Sequence, residues 1–594
     1  MAGAIFAISS SSIMAVNIPA GLYTNWMQLP TGYLSGLEIA ANQTVIIKNI
    51  PIGFNSNAAI TVAAGGKLTL DGVEFYCGSN GNLWAGVTGN GISAQSHYST
   101  DPTYNTVSKT FTSGVINSSQ TQINIINNST IRNATCGVKS LTGAILDVAG
   151  STFEDCIGYV NIVDNLATSP PHPAHSIKDC TFKMPYANLM LFNDIKMIDL
   201  LYIDMVTIGG CTFINSHVNN PNNIVCPDKR CIAINADKST FSVTKNGSFG
   251  CKPNDCIEFC GTTGCTFTGF YKAINVNNPT TPQKGGVVLN ATFANNFYGI
   301  YSAQSSGLFI RENTFNGNRT TINSYTNEVC WISASDPVYG IYYTNTEKLS
   351  IVDNTFDFTG TNIRYIAAHS AGNGFVEIKA NRINNASATT VASDNVTGID
   401  IQGIGGNTKT NITCNKFTNM GTDIYAGSKL ADFETIDNEA ANEFSDQLSG
   451  RGRINSPNAT QNYYVQIFPP AAFNPLINSV GVIASQSNGA GLCTIGCSEY
   501  YVENLINTLN TNTSIPFVAN QYNISVYPNP STGIFNVKTD YDKAFTITVY
   551  DISGRTIINQ LSSDAVSIID LSAHKAGVYF IKIEEGVNTY TAKI

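Results

Sequence analysis

The sequence predicts an all-β chain: a right-handed parallel β-helix with three strands per coil and about a dozen or more coils, followed by a small C-terminal antiparallel β-sandwich. Three observations carry that expectation. A phenylalanine-centred motif recurs through the middle of the chain at repeat-like spacing. An aliphatic residue recurs at a fixed distance after it. The last seventy or so residues alternate apolar and polar positions, with turn residues about every ten.

Composition sets the frame. At 594 residues the chain exceeds one compact core, so at least two domains are expected. Charged residues make up 12%, about half the ~25% typical of globular proteins. Asparagine numbers 68, against 32 Lys plus Arg. With 43% apolar and 10% aromatic residues this is not a disordered composition. It suits a long β architecture surfaced by amides and hydroxyls. A thin net charge of −9 and the lack of a basic run argue against nucleic-acid binding. No apolar run reaches transmembrane length.

Residues 1–34 read as an N-terminal cap over the open end of a helix whose exposed edge would otherwise invite pairing. The first fifteen residues are weakly apolar, lack Lys and Arg, and read poorly as a secretory leader. Residues 35–455 read as the β-helix. Its early coils show short β runs ending at Ile39, Ile47, Val62, Leu70 and Phe75, with turns at Gly65-Gly66 and Asp71-Gly72.

The repeat proper is a small or polar residue, usually Thr, and then Phe. The anchors are Phe153, Phe182, Phe213, Phe241, Phe267, Phe293, Phe315, Phe356, Phe417 and Phe444, with Ile131 and Ile383 in the same slot. Most steps run from 22 to 34 residues; Phe315 to Phe356 is 41, which leaves room for an insertion or an extra coil. Seven residues after the anchor stand Val138, Val160, Leu189, Ile274, Ile300, Ile322, Ile363 and Ile424. Each repeat therefore holds a strand at the anchor, a second strand seven residues on, and space for a third. Coils would stack about 4.8 Å apart.

Side chains two apart in a strand share a face, so the residue two before each anchor points inward with it. Ser and Cys dominate this position early. Asn313, Asn354, Asn381, Asn415 and Asn442 fill it late. Stacked in register, these five form an amide ladder in which each satisfies its neighbour. Cys180 and Cys211 would lie on adjacent coils, where buried thiols are the reading favoured over a disulfide, because in-register side chains point alike. Fifteen cysteines suit an oxidising destination, and their odd number leaves at least one unpaired or paired between chains. None is spaced CxxC, and loop disulfides or buried thiols are preferred to a metal site. Residues 456–520, with one helix-like run at 499–509, read as a C-terminal cap and linker.

Residues 521–594 carry three ordered motifs: YPNPSTGIFNV at 527–537, VYDISGRTI at 549–557, and DLS followed by AGVYFIKI between 570 and 583, with Lys593 near the end. This segment resembles the type A C-terminal sorting domain of the type IX secretion system, used by Bacteroidota to export proteins across the outer membrane. The resemblance implies recognition by the translocon and sorting machinery, and a protein secreted or anchored on the outer-membrane surface. It places the sorting signal on Pro528, Asn529, Pro530, Gly533, Asp551, Gly554, Arg555, Asp570, Leu571, Gly577, Tyr579 and Lys593.

Chemistry on the helix is harder to read. The motif series of pectin-type hydrolases is missing. Uronate lyases need a basic residue beside a calcium-binding carboxylate cluster; Asp194, Asp199 and Asp204 are the longest carboxylate series, and their spacing alternates faces, so calcium is weakly supported and no other cofactor is implied. Glu312 and Asp353 stand three residues before successive anchors. On adjacent coils they would approach the carboxylate separation of retaining glycosidases, so they are the candidate catalytic pair against a reading as two solvated acids. His172 and His175 sit in a Pro-rich loop. Trp331, Tyr339, Tyr342 and Tyr343 cluster in or beside the long step and are the candidate glycan-stacking residues. The expectation is a surface β-helix protein, exported by the type IX system, that binds glycan or mediates adhesion without catalysis. The alternatives are a polysaccharide lyase or glycoside hydrolase working in a groove of the helix, and a structural surface-layer component.

Overall fold

The structure is a computed structural model. It describes residues 15–79, 82–91, 98–100, 103–105, 110–112, 115–116, 119–141, 144–163, 175–184, 195–215, 232–246, 249–251, 258–259, 261–278, 286–305, 307–318, 337–345, 349–359, 365–370, 376–385, 396–402, 410–427, 442–445, 454–456, 461–465, 482–486, 525–527, 533–538, 545–551, 555–562, 566–574, 577, 579–585 and 588–593.

Three long parallel sheets make a β-helix. The first sheet has fifteen strands, from Val16–Asn17 to Ile454–Asn455. The second has thirteen, from Gly21–Tyr23 to Thr410–Thr413, and the third thirteen, from Pro51–Phe54 to Glu443–Ser445. The chain visits first, second and third sheet in turn, and each strand pairs in parallel with its counterpart one coil on. Val16–Asn17 and Gly21–Tyr23 already pair within the first two sheets, inside the stretch read as a cap. Two small antiparallel pairs, Tyr98–Thr100 with Val115–Ile116 and Thr103–Asn105 with Thr110–Thr112, interrupt the coil sequence. Gln461–Val465 and Val482–Gln486 form a parallel pair within 456–520. The run at 499–509 lies outside the described residues.

The anchors of the third sheet stack as parallel rings. Phe153, Phe182, Phe213, Phe267, Phe293, Phe315 and Phe356 follow one another with centroids 4.6 to 5.3 Å apart and planes within 12°. All are buried. Gly340 leaves room for this column: a Cβ there would meet the Phe356 ring at 2.8 Å.

The register corrects parts of the sequence reading. Phe213 pairs directly with Phe267, and Phe241 lies instead in the second sheet, between Val206 and Gly286. Its strand, Thr240–Thr244, follows the first-sheet strand Ile232–Asp237 after a left-handed turn at Lys238, so the coil has not yet reached the third sheet. The 41-residue step hides no extra coil, since Phe315 pairs with Phe356. Leu189, Ile322 and Ile363 lie outside the described residues; the first-sheet column runs instead through Val160, Ile198, Ile234, Ile274, Ile300, Ile341, Ala368 and Ile399. Connections of unequal length between third and first sheet displace the column from its fixed offset.

The bend from second to third sheet explains the Ser, Cys and Asn column. Its first residue is left-handed in coil after coil: Asn128, Asp179, Asn290, Glu312, Asp353, Ala380 and Cys414 have φ between 53° and 62°. Asn and Asp tolerate this conformation best, and glycine takes it freely at Gly150 and Gly210. The next residue points inward, and its N–H runs along the coil axis. A side-chain acceptor one coil later receives it. Asn313 N–H donates to Asn354 Oδ1 at 3.0 Å, Asn354 N–H to Asn381 at 2.9 Å, Asn381 N–H to Asn415 at 3.0 Å and Asn415 N–H to Asn442 at 2.9 Å. Each Nδ2 also donates to the next Oδ1, at 2.9 to 3.0 Å. Each is held as well by a carbonyl of the coil behind, as in Asn381 Nδ2 to Ile351 O at 2.9 Å. Cysteine serves in the same way: Cys211 N–H donates to Cys265 Sγ at 3.3 Å. Cys180, Cys211 and Cys265 are buried free thiols, while Cys414 is disulfide-bonded.

The chain divides into two compact units, 1–512 and 513–594. In the second, a three-stranded and a four-stranded antiparallel sheet enclose Phe535, Val537, Phe545, Ile547, Val549, Ile569, Leu571, Ile581 and Ile583.

Asn381→Leu removes the acceptor for the Asn354 N–H and Nδ2 while keeping the shape, and should lower stability by on the order of 1–3 kcal/mol, measured as a fall in denaturant midpoint. Phe213→Ala opens the ring column and should cost about 3–5 kcal/mol by the same measurement.

Candidate functional site

The sequence candidates fall at several places in the fold. Glu312 and Asp353 are left-handed bend residues on adjacent coils. Glu312 accepts an ion pair from Arg311 at 2.8 Å. The Asp353 carboxyl is raised by burial, and then by the Glu312 charge. They face each other electrostatically, but both positions are set by backbone geometry. Asp199 lies in the first sheet and Asp204 in the second, while Asp194 is outside the described residues. His175 is buried in the second sheet, not in a loop, and its Nδ1 accepts the Leu146 N–H at 3.2 Å. His172 is outside the described residues. Among the described residues no group of three or more His, Cys, Asp or Glu side chains converges as a metal site would require.

The aromatic residues divide. Trp331 lies outside the described residues. Tyr343 points into the core, 2% exposed, so it offers no ring to a ligand. Tyr339 and Tyr342 stand on the outward face of the first sheet, in the strand Val338–Thr344, half-buried.

There they belong to a larger outward column. Asp199, Asn235, Asn275, Tyr301, Tyr342, His369 and Asp400 occupy paired positions on seven successive strands. The column is linked throughout. Lys196 Nζ lies 3.3 Å from Asp199 Oδ2. Asn235 Nδ2 donates to Asp199 Oδ1 at 2.7 Å, and Asn275 Nδ2 to Asn235 Oδ1 at 2.6 Å. Lys272 Nζ donates to Asn275 Oδ1 at 3.0 Å and sits 3.6 Å above the Tyr301 ring. Tyr301 stacks on Tyr342 at 5.1 Å and 3°, and Tyr342 on His369 at 4.9 Å and 25°. His369 Nδ1 meets Asp400 Oδ2 at 3.1 Å. Beside this column Tyr298 stacks on Tyr339 at 5.2 Å and 3°.

This geometry changes what the tyrosines do. The coil repeat stacks Tyr301, Tyr342 and His369 face on face, so Tyr342 has a ring against each face and Tyr301 has Lys272 on its other side. A sugar finds no free face on Tyr342; the ring rims and the hydroxyls are what a ligand meets. Burial raises the Tyr298 and Tyr342 phenols above the usual tyrosine range, which keeps them protonated hydrogen-bond donors. Burial also pushes the Lys272 ammonium down to about 8. Sequence reasoning missed Tyr298, Tyr301, His369, Asp400, Lys272 and the two asparagines. A signal existed: Lys139, Asn161, Asn275, Tyr301 and Tyr425 stand eight residues after their anchors, next to the inward aliphatic.

In the C-terminal unit the sorting motifs make turns and core. Arg555 reaches back to Asp551, its N–H to Oδ1 and its Nε to Oδ2, both at 3.1 Å, closing the hairpin between Phe545–Asp551 and Thr556–Ser562. Gly533 has φ 115°, and its carbonyl accepts the Leu571 N–H at 2.6 Å. Asp570 Oδ1 accepts the Ser572 N–H at 2.8 Å, and the Ser572 bonds lower its carboxyl below the usual range. Leu571 is buried, Tyr579 packs against the same core, and Gly577 is exposed just before the strand Tyr579–Glu585. Lys593 ends the strand Asn588–Lys593. Pro528, Asn529, Pro530 and Gly554 lie outside the described residues.

Residues 525–594 match the family model of the secretion system C-terminal sorting domain. The chain is an exported protein, secreted or attached at the cell surface. Its tail addresses it to the type IX secretion machinery. No helix among the described residues is long and apolar enough to cross a membrane. No curated protein matches the chain. Among solved structures, a double mutant of the tailspike protein of E. coli bacteriophage HK620 is similar over 94% of this chain and 85% of that one, at 10% identity and a TM-score of 0.30.

Two outcomes are expected. Deleting 525–594 should leave the passenger behind the outer membrane, seen by fractionating cells and medium. Lys272 binds its proton less tightly folded, at about 8, than unfolded, at about 10.4. Between these values the unfolded chain holds more protons, so stability rises with pH there. Lys272→Met should flatten that rise in denaturation curves taken across the window.

Proposed function

We propose that the passenger is a surface protein that binds an extended polysaccharide along the outward face of the first sheet. The observation that carries this reading is the unbroken outward column from Asp199 to Asp400, in which amides, phenols and an imidazole repeat once per coil. A polymer lying along the helix axis would meet Asp199, Asn275, Tyr301 and Tyr342, which are half-buried, while Asn235, His369 and Asp400 are buried. Sugar hydroxyls pair with amides and phenols without needing a matching charge, in keeping with a chain that is only 12% charged. Export to the cell surface puts this face where polysaccharides are met. The experiment is a glycan array with the full chain, followed by titration of the best ligand. Asn275→Ala removes an amide from the centre of the column and should weaken affinity about tenfold, the equivalent of one hydrogen bond. Retention of no glycan, or affinity indifferent to Asn275→Ala and Tyr301→Ala alike, would refute the reading.

A further inference from the structure

The column, which continues through Tyr425 and Asn455, contains a pair that glycan holding alone leaves unused. His369 and Asp400 stand opposite each other on the neighbouring strands Tyr365–Ser370 and Val396–Ile401. Both are enclosed, His369 at 8% exposure and Asp400 at 2%. Asp400 has both oxygens engaged: Oδ2 by His369 Nδ1 at 3.1 Å and Oδ1 by Gln402 Nε2 at 2.7 Å. Among the described residues no lysine or arginine pairs with Asp400. With the proton of this hydrogen bond on His369 Nδ1, Nε2 is the basic nitrogen. No described residue hydrogen-bonds that nitrogen. Ring orientation is set from the other side, by stacking on Tyr342 and a tilted contact with Tyr339 at 5.3 Å. An oriented imidazole thus sits against two tyrosine rings within the outward column.

We propose that His369 is the general base of a hydrolytic centre that removes ester substituents, such as O-acetyl groups, from a glycan lying on this face; the proposal rests on the glycan-binding reading. Nε2 takes a proton from a water molecule as the water oxygen bonds to the acyl carbon. The carbonyl electrons move to oxygen, and the oxyanion is met by the hydroxyl of Tyr342. Collapse restores the carbonyl and breaks the bond to the glycan oxygen, which takes the proton back from Nε2. The products are a free glycan hydroxyl and a carboxylic acid, with no change of oxidation state. Asp400 is a positioning residue: it holds the tautomer and stabilises the imidazolium. Competing chemistries fit less well. Glycosidic cleavage uses two carboxyl groups across the scissile bond, and both Asp400 oxygens are occupied. Elimination from a uronate needs a cation beside the carboxylate, and of the two lysines linked to this column the nearer, Lys272, lies three strands away.

The test is acetate release by the full chain from an O-acetylated polysaccharide that it binds, with 4-nitrophenyl acetate as a second substrate, over pH 5 to about 9. Wild type should release acetate from both. His369→Gln should lower the rate at least 100-fold, in the range of general-base catalysis. Asp400→Asn should lower it and move the pH profile, which loss of a merely structural contact would not do. Tyr342→Phe, which keeps the ring stack, should lower kcat about tenfold with little change in KM, and decides the matter if His369→Gln does not fold. Glycan retained by wild type without acetate release overturns this proposal alone. Neither retention nor release overturns the glycan reading with it. Release unchanged in His369→Gln, or in Tyr342→Phe where the former is unfolded, also overturns the proposal.

Discussion

Everything in the passenger follows from one constraint: each coil must hydrogen-bond to the next in register, so each side chain lies over its counterpart one coil away. Parallel pairing satisfies the backbone within the strands but not at the bends. At the bend from second to third sheet an inward residue has its N–H directed along the axis, where no strand carbonyl receives it. Burying that donor alone would cost a free energy comparable to a lost hydrogen bond. The column of Ser, Cys and Asn meets the need. Each supplies an acceptor to the coil before it, and asparagine adds a donor for the carbonyl behind. The ladder is thus a continuation of the backbone network by side chains, and it ties the bends of successive coils as firmly as the sheets tie the strands.

The same constraint shapes the outer face. A repeat near the separation of stacked rings favours like over like, so aromatic residues at one position become a pile with covered faces. Inside, this yields the phenylalanine column of the core. Outside, it turns tyrosines that might have been platforms into a row of rims and hydroxyls, closed at one side by Lys272 and at the other by His369. On the proposed reading, recognition on such a face would rely on hydrogen bonding from fixed donors, which costs little ordering on binding. The sorting tail carries the chain to the cell surface or beyond.

Particular residues show what could be read in advance. The anchors from Phe267 to Phe356 kept their order because Phe in the third sheet is both buried and stacked, and each stage of that reading rests on spacing alone. Phe241 broke the rule: a Ser-Thr-Phe triplet fits the second sheet just as well when a left-handed turn precedes it, and local sequence does not say which sheet the coil has reached. The fixed offset to the first sheet does not hold in every coil: the connections vary in length, and the described column enters at Ile198, Ile341 and Ala368. Glu312 and Asp353 were paired from their equal offset to successive anchors, and they do lie on adjacent coils, at points where the backbone is left-handed.

Sequence alone determined that the chain coils in three short strands per turn, that Phe, Ser, Cys and Asn face inward at known offsets, and that the tail is an export domain, because periodicity and turn chemistry are properties of neighbours along the chain. Only the tertiary structure decided which strands of distant segments lie side by side. That brought Lys272, Tyr301, Tyr342, His369 and Asp400 into one line, successive residues from 27 to 41 positions apart that nothing local connects. The physical reason is that a coil's register is chosen by the hydrogen bonds and packing of the coil beneath it, and that choice is made in space rather than in sequence.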